Sequence, residues 1–237
     1  MSRPRLRAAL TGVRDTLPLM LGTLPFAVIY GTAAVAAGLP VWVTLAMSIV
    51  VFAGSAQFIA VSLVGAGAAL PVIWLTTFVV NLRHALYSAT LHPVAGHWAL
   101  RWRALLAFWL TDEVFAVIEK RLSEIGEADL LPYSLGGAGA FYLNWIVWSA
   151  VGVAVGAQFP NLADWGLDFA MIGCFAAMVA PQLRAPTPVA VALVAGATAW
   201  LARGLPYQLG LVLAALAGVA AGVLADRRRP PDPEAAP

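Results

Sequence analysis

The chain has 237 residues, of which 61% are hydrophobic and only 11% are charged, and its formal net charge is +2. A soluble globular domain carries about 25% charged residues, so this composition excludes an ordinary soluble domain. Repeated apolar stretches of about 20 residues, the length at which a helix crosses about 30 Å of hydrocarbon, predict an all-α polytopic membrane protein.

The apolar stretches predict about eight transmembrane helices, with seven as the alternative. In chain order they cover Leu17–Ala37, Val41–Val64, Leu70–Leu91, Ala104–Ile118, Gly136–Val155, Leu167–Val179, Val189–Leu201 and Leu205–Leu224. Residues 1–225 are predicted to form a single transporter domain. Residues 226–237 are rich in arginine, proline and acidic side chains, and they predict a disordered cytoplasmic tail.

The basic residues between the spans predict an orientation in the cell inner (plasma) membrane, with both termini in the cytoplasm. With eight crossings the cytoplasmic side holds Arg3 to Arg14, Lys120, Arg121, Arg184 and Arg227–Arg229. The Gln158–Asp164 loop, which has no lysine or arginine, then lies outside. Arg101, Arg103 and Arg203 do not fit this pattern. Either one predicted crossing is not a true span, or these arginines are held by protein or reach the headgroups.

Several features that often signal other functions have simpler explanations here. Arg227–Arg229 follow an apolar helix, which is typical of a stop-transfer signal, so no nucleic-acid partner is predicted. Cys174 is the single cysteine, which excludes an intrachain disulfide and a CxxC motif. The three histidines, His84, His92 and His97, lack HExxH spacing. We therefore predict no metal and no cofactor.

A weak similarity relates the two halves of the chain. At an offset of 123 positions, five residues of one half match five of the other: Leu39, Trp42, Ile49, Phe52 and Ala53 align with Leu162, Trp165, Ile172, Phe175 and Ala176. Coincidence within an alanine-, leucine- and valine-rich composition is the alternative explanation. If the repeat is real, a unit of four crossings makes it parallel and an odd number makes it inverted.

Polar residues interrupt the second predicted span. Gly54, Ser55 and Gln57 lie between apolar runs and predict a broken helix. Transport sites often lie at such breaks, where freed backbone groups and half-helix ends meet a polar substrate. The alternative is close helix packing, with Ser55 and Gln57 bonded to a neighbouring helix.

The third predicted span carries Asn81, Arg83, His84 and Tyr87. Helical spacing places Arg83 and Tyr87 on one face. An arginine at the bilayer centre costs about 2.5–3.5 kcal/mol, so Arg83 needs a partner. That partner is either a substrate carboxylate or one of the acids in the fourth span. His84 is either a proton carrier or a hydrogen-bonding residue.

Asp112 and Glu113 lie in the middle of the fourth predicted span. Neighbouring helical residues point about 100° apart, so these two acids cannot both face one partner. We predict that one lies within ion-pair distance of Arg83, while the other faces a cavity or stays protonated. Like charges and a low dielectric favour one neutral acid, as proton coupling requires. The alternative is a shorter span with both acids at a wet mouth. Asn144, in the fifth span, serves either a polar site or helix packing.

Three motifs, in this order, resemble those of the AzlC family: FAGSAQF at Phe52–Phe58, NLRHALYS at Asn81–Ser88 and LTDE at Leu110–Glu113. This family forms the large subunit of branched-chain amino-acid exporters, and the resemblance covers the chain except its tail. It implies export of leucine, isoleucine and valine, with methionine as a further candidate, driven by the proton gradient. It also implies a small companion membrane subunit of the AzlD type, but no ligand assignments.

The leading functional hypothesis is a secondary carrier, because the chain has no P-loop and no soluble ATPase domain. The candidate substrate-binding residues are Gly54, Ser55, Gln57, Asn81, Arg83, Tyr87 and Asn144. Candidates for proton coupling or ion pairing are Arg83, His84, Asp112 and Glu113, and candidate pocket walls are Phe52, Phe58 and Trp109. The alternatives are an intramembrane enzyme, which would lack a GxSxG nucleophile motif, and a non-catalytic membrane scaffold.

Overall fold

The computed structural model describes residues 3–158, 176, 180, 183–205 and 209–227, which form helices and connecting turns with no β-strand among them. The helices are α1 (Arg3–Ala36), α2 (Val41–Val50), α3 (Gly54–Gly65), α4 (Leu70–Asn81), α5 (Arg83–Ala95), α6 (Leu100–Trp109), α7 (Asp112–Arg121), α8 (Glu127–Gln158), α9 (Pro186–Leu201) and α10 (Leu209–Arg227). The predicted all-α class is therefore confirmed. The sixth predicted span, Cys174 and most of the tail lie outside the described residues.

The outer surface of the helices is apolar, whereas polar side chains lie inside. Trp74, Leu86 and Leu201 are 68%, 69% and 75% exposed, while Ser48 and Ser149 are fully buried. Water would make this arrangement unfavourable, and lipid makes it favourable. Among the described helices, the segments Pro4–Ala36 and Glu127–Gln158 are each long and apolar enough to cross a membrane unaided.

The two long helices α1 and α8 pack closely and run in the same direction. A Cβ on Gly12 would lie 2.1 Å from the Tyr133 carbonyl oxygen, and a Cβ on Gly152 would lie 2.2 Å from that of Val28. Glycine at these positions therefore permits backbone contact. The contacts advance together along both helices, so the two helices are parallel.

The register of this helix pair bears on the suspected repeat. Asn144 Nδ2 donates a hydrogen bond to the Met20 carbonyl, a separation of 124 positions. This offset agrees within one residue with the similarity between the halves, as parallel repeats packed side by side would require. The segment that would correspond to α2 and α3 lies mostly outside the described residues, so the repeat stays a prediction.

The second predicted span is broken, as expected, but the chain also reverses direction at the break. α2 starts beside the C-terminal end of α1, where the Tyr30 hydroxyl donates to the Thr44 carbonyl. α3 returns to the same end, because a Cβ placed on Gly65 would lie 3.6 Å from the Cβ of Ala37. Helices α2 and α3 therefore form a hairpin, which we call the α2–α3 hairpin. Its arms of 10 and 12 residues are each about 15–18 Å long, half a bilayer.

The break in this hairpin lies just before the residues that predicted it. Helix α2 ends at Val50 and α3 begins at Gly54, so Gly54–Gln57 form the first turn of α3 rather than the break itself. The turn is made at Phe52, which adopts φ 43°, a region that costs a bulky residue free energy. Phe52 is 3% exposed and packs against the rings of Phe141 and Tyr142, which hold it in this conformation.

The third predicted span runs from one end of the molecule to the other, with an interruption at Leu82 between α4 and α5. α4 begins beside the α2–α3 hairpin, where Ile73 packs with Ala60 and Leu63. Beyond α5, His97 Nε2 lies 3.3 Å from Glu127 Oε1, at the first residue of α8. Since α8 begins at the same end of the molecule as α1, helices α4 and α5 together run from one end to the other.

The fourth predicted span does not cross. α6 starts near the beginning of α8, because Trp102 and Ala128 line the same surface groove, and it ends at Trp109 over Gly139. After Leu110 and Thr111 the chain turns back, and α7 descends until Arg121 Nε lies 2.9 Å from Asp15 Oδ2. Helices α6 and α7 therefore form a second hairpin, the α6–α7 hairpin, which enters from the end opposite to the first.

This second hairpin accounts for Arg101 and Arg103, two of the three arginines that did not fit the predicted orientation. Both of its ends lie at the end of the molecule where α1 and α8 begin, which we call the basic end. The basic end carries Arg5, Arg7, Arg101, Arg103, Lys120 and Arg121. The loops at the opposite end, residues 37–40 and 66–69, contain no lysine or arginine. The first explanation offered by the sequence, that one predicted crossing is not a true span, is the one that the structure supports.

Candidate functional site

The tips of the two hairpins and the interruption at Leu82 meet around one cavity of about 50 Å³. It is smaller than the about 300–1,000 Å³ of a typical small-ligand pocket, so a substrate would require the hairpin tips to separate. The cavity is lined by Thr23, Phe26, Phe52, Ala53, Gly54, Ser55, Phe58, Arg83, His84, Thr111, Asp112, Glu113, Phe141 and Trp145. Irregular backbone at membrane depth is tolerated where it lines such a space, so the three breaks and the cavity explain one another.

Arg83 joins both hairpin tips. Its Nη1 lies 2.5 Å from Asp112 Oδ2 on α7, and its Nη2 donates to Ser55 Oγ on α3 at 2.5 Å. The Tyr87 hydroxyl donates to the other oxygen, Asp112 Oδ1, at 2.8 Å. The expected ion pair between Arg83 and an acid of the fourth segment is therefore confirmed. The two side chains are 26% and 29% exposed, so water reaches the pair from the cavity.

Glu113 has a different environment from its neighbour. Asp112 takes the ion pair with Arg83, and Glu113 lines the cavity. Thr111 Oγ1 accepts a hydrogen bond from Val114 N and caps α7, so the two acids occupy the first turn of a new helix rather than the middle of one. That position favours negative charge. Asp112 therefore makes the predicted ion pair, and both acids line the cavity. The neutral state of one acid stays a prediction, and the continuous helix on which it was based is not present.

Three helices begin at the cavity, and α2, α4 and α6 end at the same breaks, so both N–H and C=O ends of helices are brought to it. α3 begins at Gly54, α5 at Arg83 and α7 at Asp112. The first turn of a helix has N–H groups without helical partners and carries a partial positive charge. Those of α3 lie at Gly54 and Ser55, which both line the cavity. The cavity therefore offers N–H donors on one side and the Glu113 carboxylate on another.

Aromatic rings form the remaining walls. Phe52 and Phe58 line the cavity as predicted, together with Phe26, Phe141 and Trp145. Trp109 does not: its ring packs against Tyr142, with centroids 5.5 Å apart, outside the cavity. The prediction of Trp109 as a wall is wrong because helical spacing within one segment does not reveal how a hairpin turns.

Four residues predicted to bind substrate lie behind the walls instead. Gln57 is fully buried and bonds Ser48 and Trp145, and Tyr87 bonds Asp112 and stacks on Phe115 at 4.6 Å. The backbone carbonyl oxygen of Asn81 lies 3.0 Å from His84 Nδ1, so Asn81 orients a residue that does line the cavity.

Asn144 donates to the Met20 carbonyl, which is the helix-packing role that the sequence left open for it. Gly54, Ser55, Arg83, His84, Asp112 and Glu113 line the cavity, and their roles in substrate binding and proton coupling stay predictions.

Six cavity residues were not among the candidates from the sequence: Thr23, Phe26, Ala53, Thr111, Phe141 and Trp145. Pro25 lies inside α1 between the first two of them, and a proline in a transmembrane helix was an available signal. No comparable signal marks Phe141 and Trp145, which lie in an uninterrupted apolar helix. Among the described residues, no three histidine, cysteine or acidic side chains form a group that would hold a metal ion.

Comparison with known proteins gives consistent matches. A model of the AzlC protein family matches residues 18–159. An uncharacterized membrane protein of Archaeoglobus fulgidus is 31% identical over 210 residues, or 87% of this chain and 90% of that protein. One of Helicobacter pylori is 30% identical over 175 residues, or 73% and 74%. Inner membrane protein YgaZ of Escherichia coli is 28% identical over 147 residues, or 62% of this chain and 60% of YgaZ. No solved structure matches.

The matched family segment runs from the first helix to the end of α8 and so contains every residue of the cavity. The relatives are membrane proteins by name, in agreement with the apolar exterior of the helices. The chain is therefore an all-α membrane protein that belongs to the AzlC family, a family associated with membrane transport.

Proposed function

We propose that the chain is the large subunit of a secondary carrier that exports branched-chain amino acids across the cell inner membrane. The observation that carries this proposal is the cavity itself: two hairpins from opposite ends meet there, and Arg83 bonds to both tips. A site between two opposed hairpins can be reached from either side if one hairpin moves while the other stays, which is the geometry that alternating access needs.

The cavity suits a zwitterion with an apolar side chain. The first-turn N–H groups of α3 at Gly54 and Ser55 take no part in the Arg83–Asp112 ion pair, and they suit a substrate carboxylate. Glu113 suits the ammonium group, and the phenylalanine rings suit a branched hydrocarbon. In this arrangement Arg83 fixes the two hairpin tips, and the backbone of α3 binds the carboxylate.

Glu113 also supplies a route to proton coupling. A carboxylate that binds the substrate ammonium cannot hold a proton at the same time, so the two cations compete for one group. Competition of this kind converts an inward proton gradient into outward amino-acid movement. His84 lines the same cavity and is a second group through which a proton can reach Glu113.

The basic end is proposed to face the cytoplasm, following the excess of lysine and arginine in cytoplasmic loops. The N-terminus then lies inside, and the tip of the α2–α3 hairpin enters from outside. A small companion membrane subunit of the AzlD type completes the exporter. The resemblance to AzlC proteins supports this partner, and the apolar exterior of the described helices offers surface for it.

The test is leucine efflux from cells that co-express the companion subunit. We expect Glu113→Gln to reduce efflux at least about 100-fold, because proton-transfer groups typically contribute 10²–10⁴. Glu119→Gln is the matched control, since Glu119 is an exposed acid on the same helix, and it should retain wild-type efflux. Full efflux by Glu113→Gln at equal membrane levels would contradict the proposed coupling.

A further inference from the structure

Trp145 lies in the cavity wall beside the start of α3. It lies on α8, is 5% exposed and lines the cavity. A Cβ placed on Gly54 would come within 2.9 Å of its Cη2 atom. The indole therefore fills the space directly beside the first turn of α3, where the proposed carboxylate site lies.

The indole is fixed from behind by a chain of buried hydrogen bonds. Trp145 Nε1 donates to Gln57 Oε1 at 3.1 Å, and Gln57 Nε2 donates to Ser48 Oγ at 3.2 Å. An indole N–H can only donate, so it dictates which end of the Gln57 amide faces it. Gln57 and Ser48 are fully buried, and breaking either bond would leave polar groups without water.

A second contact restricts the plane of the ring. Tyr30 stacks on Trp145 with centroids 6.1 Å apart and an interplanar angle of 29°. Tyr30 is itself fully buried and anchored, because its hydroxyl donates to the Thr44 carbonyl at 2.9 Å. Rotation of the indole out of the cavity would therefore require the α2–α3 hairpin to separate from α1 and α8.

We propose that Trp145 is the specificity-determining residue of the cavity and that Gln57 is its positioning residue. This inference rests on the proposed function and states which amino acids the site accepts. A substrate bound at Gly54 and Ser55 directs its side chain along the indole face, so the indole limits the width of the side chain that the site accepts. A phenylalanine side chain would have to displace an indole that the hydrogen bonds and the stacked ring hold in place.

The experiment is counterflow of labelled amino acids in proteoliposomes that contain the chain with its companion subunit. The ratio of kcat/KM for leucine to that for phenylalanine is measured for the wild type and Trp145→Phe. We expect the ratio to fall about tenfold or more in Trp145→Phe, since one methylene or more in an apolar pocket is worth about 10–200-fold. Gln57→Leu should lower it less, because the indole loses only its anchor.

Trp109→Phe provides the matched control, because it makes the same exchange on a tryptophan outside the cavity. Its leucine-to-phenylalanine ratio should equal that of the wild type. If Trp145→Phe fails to fold, Gln57→Leu carries the test alone. An unchanged ratio in every folded variant, with leucine counterflow intact in the wild type, would overturn the inference but not the proposed function. Absence of leucine counterflow in the wild type would overturn both.

Discussion

The α2–α3 and α6–α7 hairpins have the same architecture but different chemistry. The α2–α3 hairpin has a tip without side-chain charge and is held by buried neutral contacts, among them Gln57 with Trp145. The α6–α7 hairpin has an acidic tip and is held at its base by ion pairs near the surface. There Arg121 binds Asp15 and Glu124, and the Tyr133 hydroxyl donates to Asp15 at 3.0 Å.

This difference indicates which hairpin is fixed and which one can move. Breaking a buried hydrogen bond leaves polar groups without partners, and this costs free energy. Ion pairs at partly exposed positions exchange readily with water and are screened by salt. Arg121 is 37% exposed in its side chain. We therefore expect the α2–α3 hairpin to be the fixed wall of the site and the α6–α7 hairpin to be the gate on the basic end.

The largest expected effect comes from separating the two tips. Arg83→Ala leaves Asp112 without its cation and should lower the free energy of unfolding by about 2–3 kcal/mol. This is at the low end for a broken buried ion pair, because the pair is partly exposed. Thermal unfolding in detergent measures it, with Lys120→Ala as the exposed control. The double variant Arg83→Ala/Asp112→Ala should lose less than the two single losses combined. Strict additivity would show that the pair is not coupled.

A smaller effect is expected inside the fixed hairpin. Gln57→Leu removes the acceptor of the Trp145 indole and the partner of Ser48, and it should cost about 1–3 kcal/mol in the free energy of unfolding. The loss should not depend on salt, because both interactions are neutral. Unfolding at low and high ionic strength tests this. A loss that disappears in high salt would mean that the hairpin is held by charges elsewhere.

The smallest effect on stability, but a clear one on access, is expected at the base of the gate. Asp15→Asn weakens the contacts to Arg121 and Tyr133, so the α6–α7 hairpin should open more often toward the basic end. Labelling of a cysteine at Ser55 from that side should become faster, and high salt should have the same effect on the wild type. Asp129→Asn, a half-buried acid nearby on α8, is the control. Equal labelling rates would contradict a gate at this position.

The charged part of the site could be predicted from the sequence, because an arginine and two acids within apolar segments must find partners. The path of the chain could not. An interrupted apolar segment has the same composition whether it crosses the bilayer or turns back at its centre. Arg101 and Arg103 were the one local indication, since loop charge depends on which side the loop occupies.

Residues such as Gln57 and Asn144 show a second limit of the sequence. Helical periodicity assigns a polar side chain to a face, but the packing of other helices decides whether that face meets a cavity or a neighbour. Gln57 meets Trp145, 88 positions away, and Asn144 meets Met20, 124 positions away. Neither contact leaves a trace in the local pattern, so substrate binding and structural bonding looked the same.

The central claim is that the two hairpins enter from opposite sides of the membrane. It is tested most directly by measuring from which side cysteines at the hairpin ends can be labelled. Single cysteines are placed at Ala99 and Ser123, the ends of the α6–α7 hairpin, and at Val41 and Ala69, the ends of the α2–α3 hairpin. A Cys174→Ser background removes the native thiol. An impermeant thiol reagent should label Ala99→Cys and Ser123→Cys from one side of the membrane, and Val41→Cys and Ala69→Cys from the other. Labelling of positions 99 and 123 from opposite sides would contradict the account.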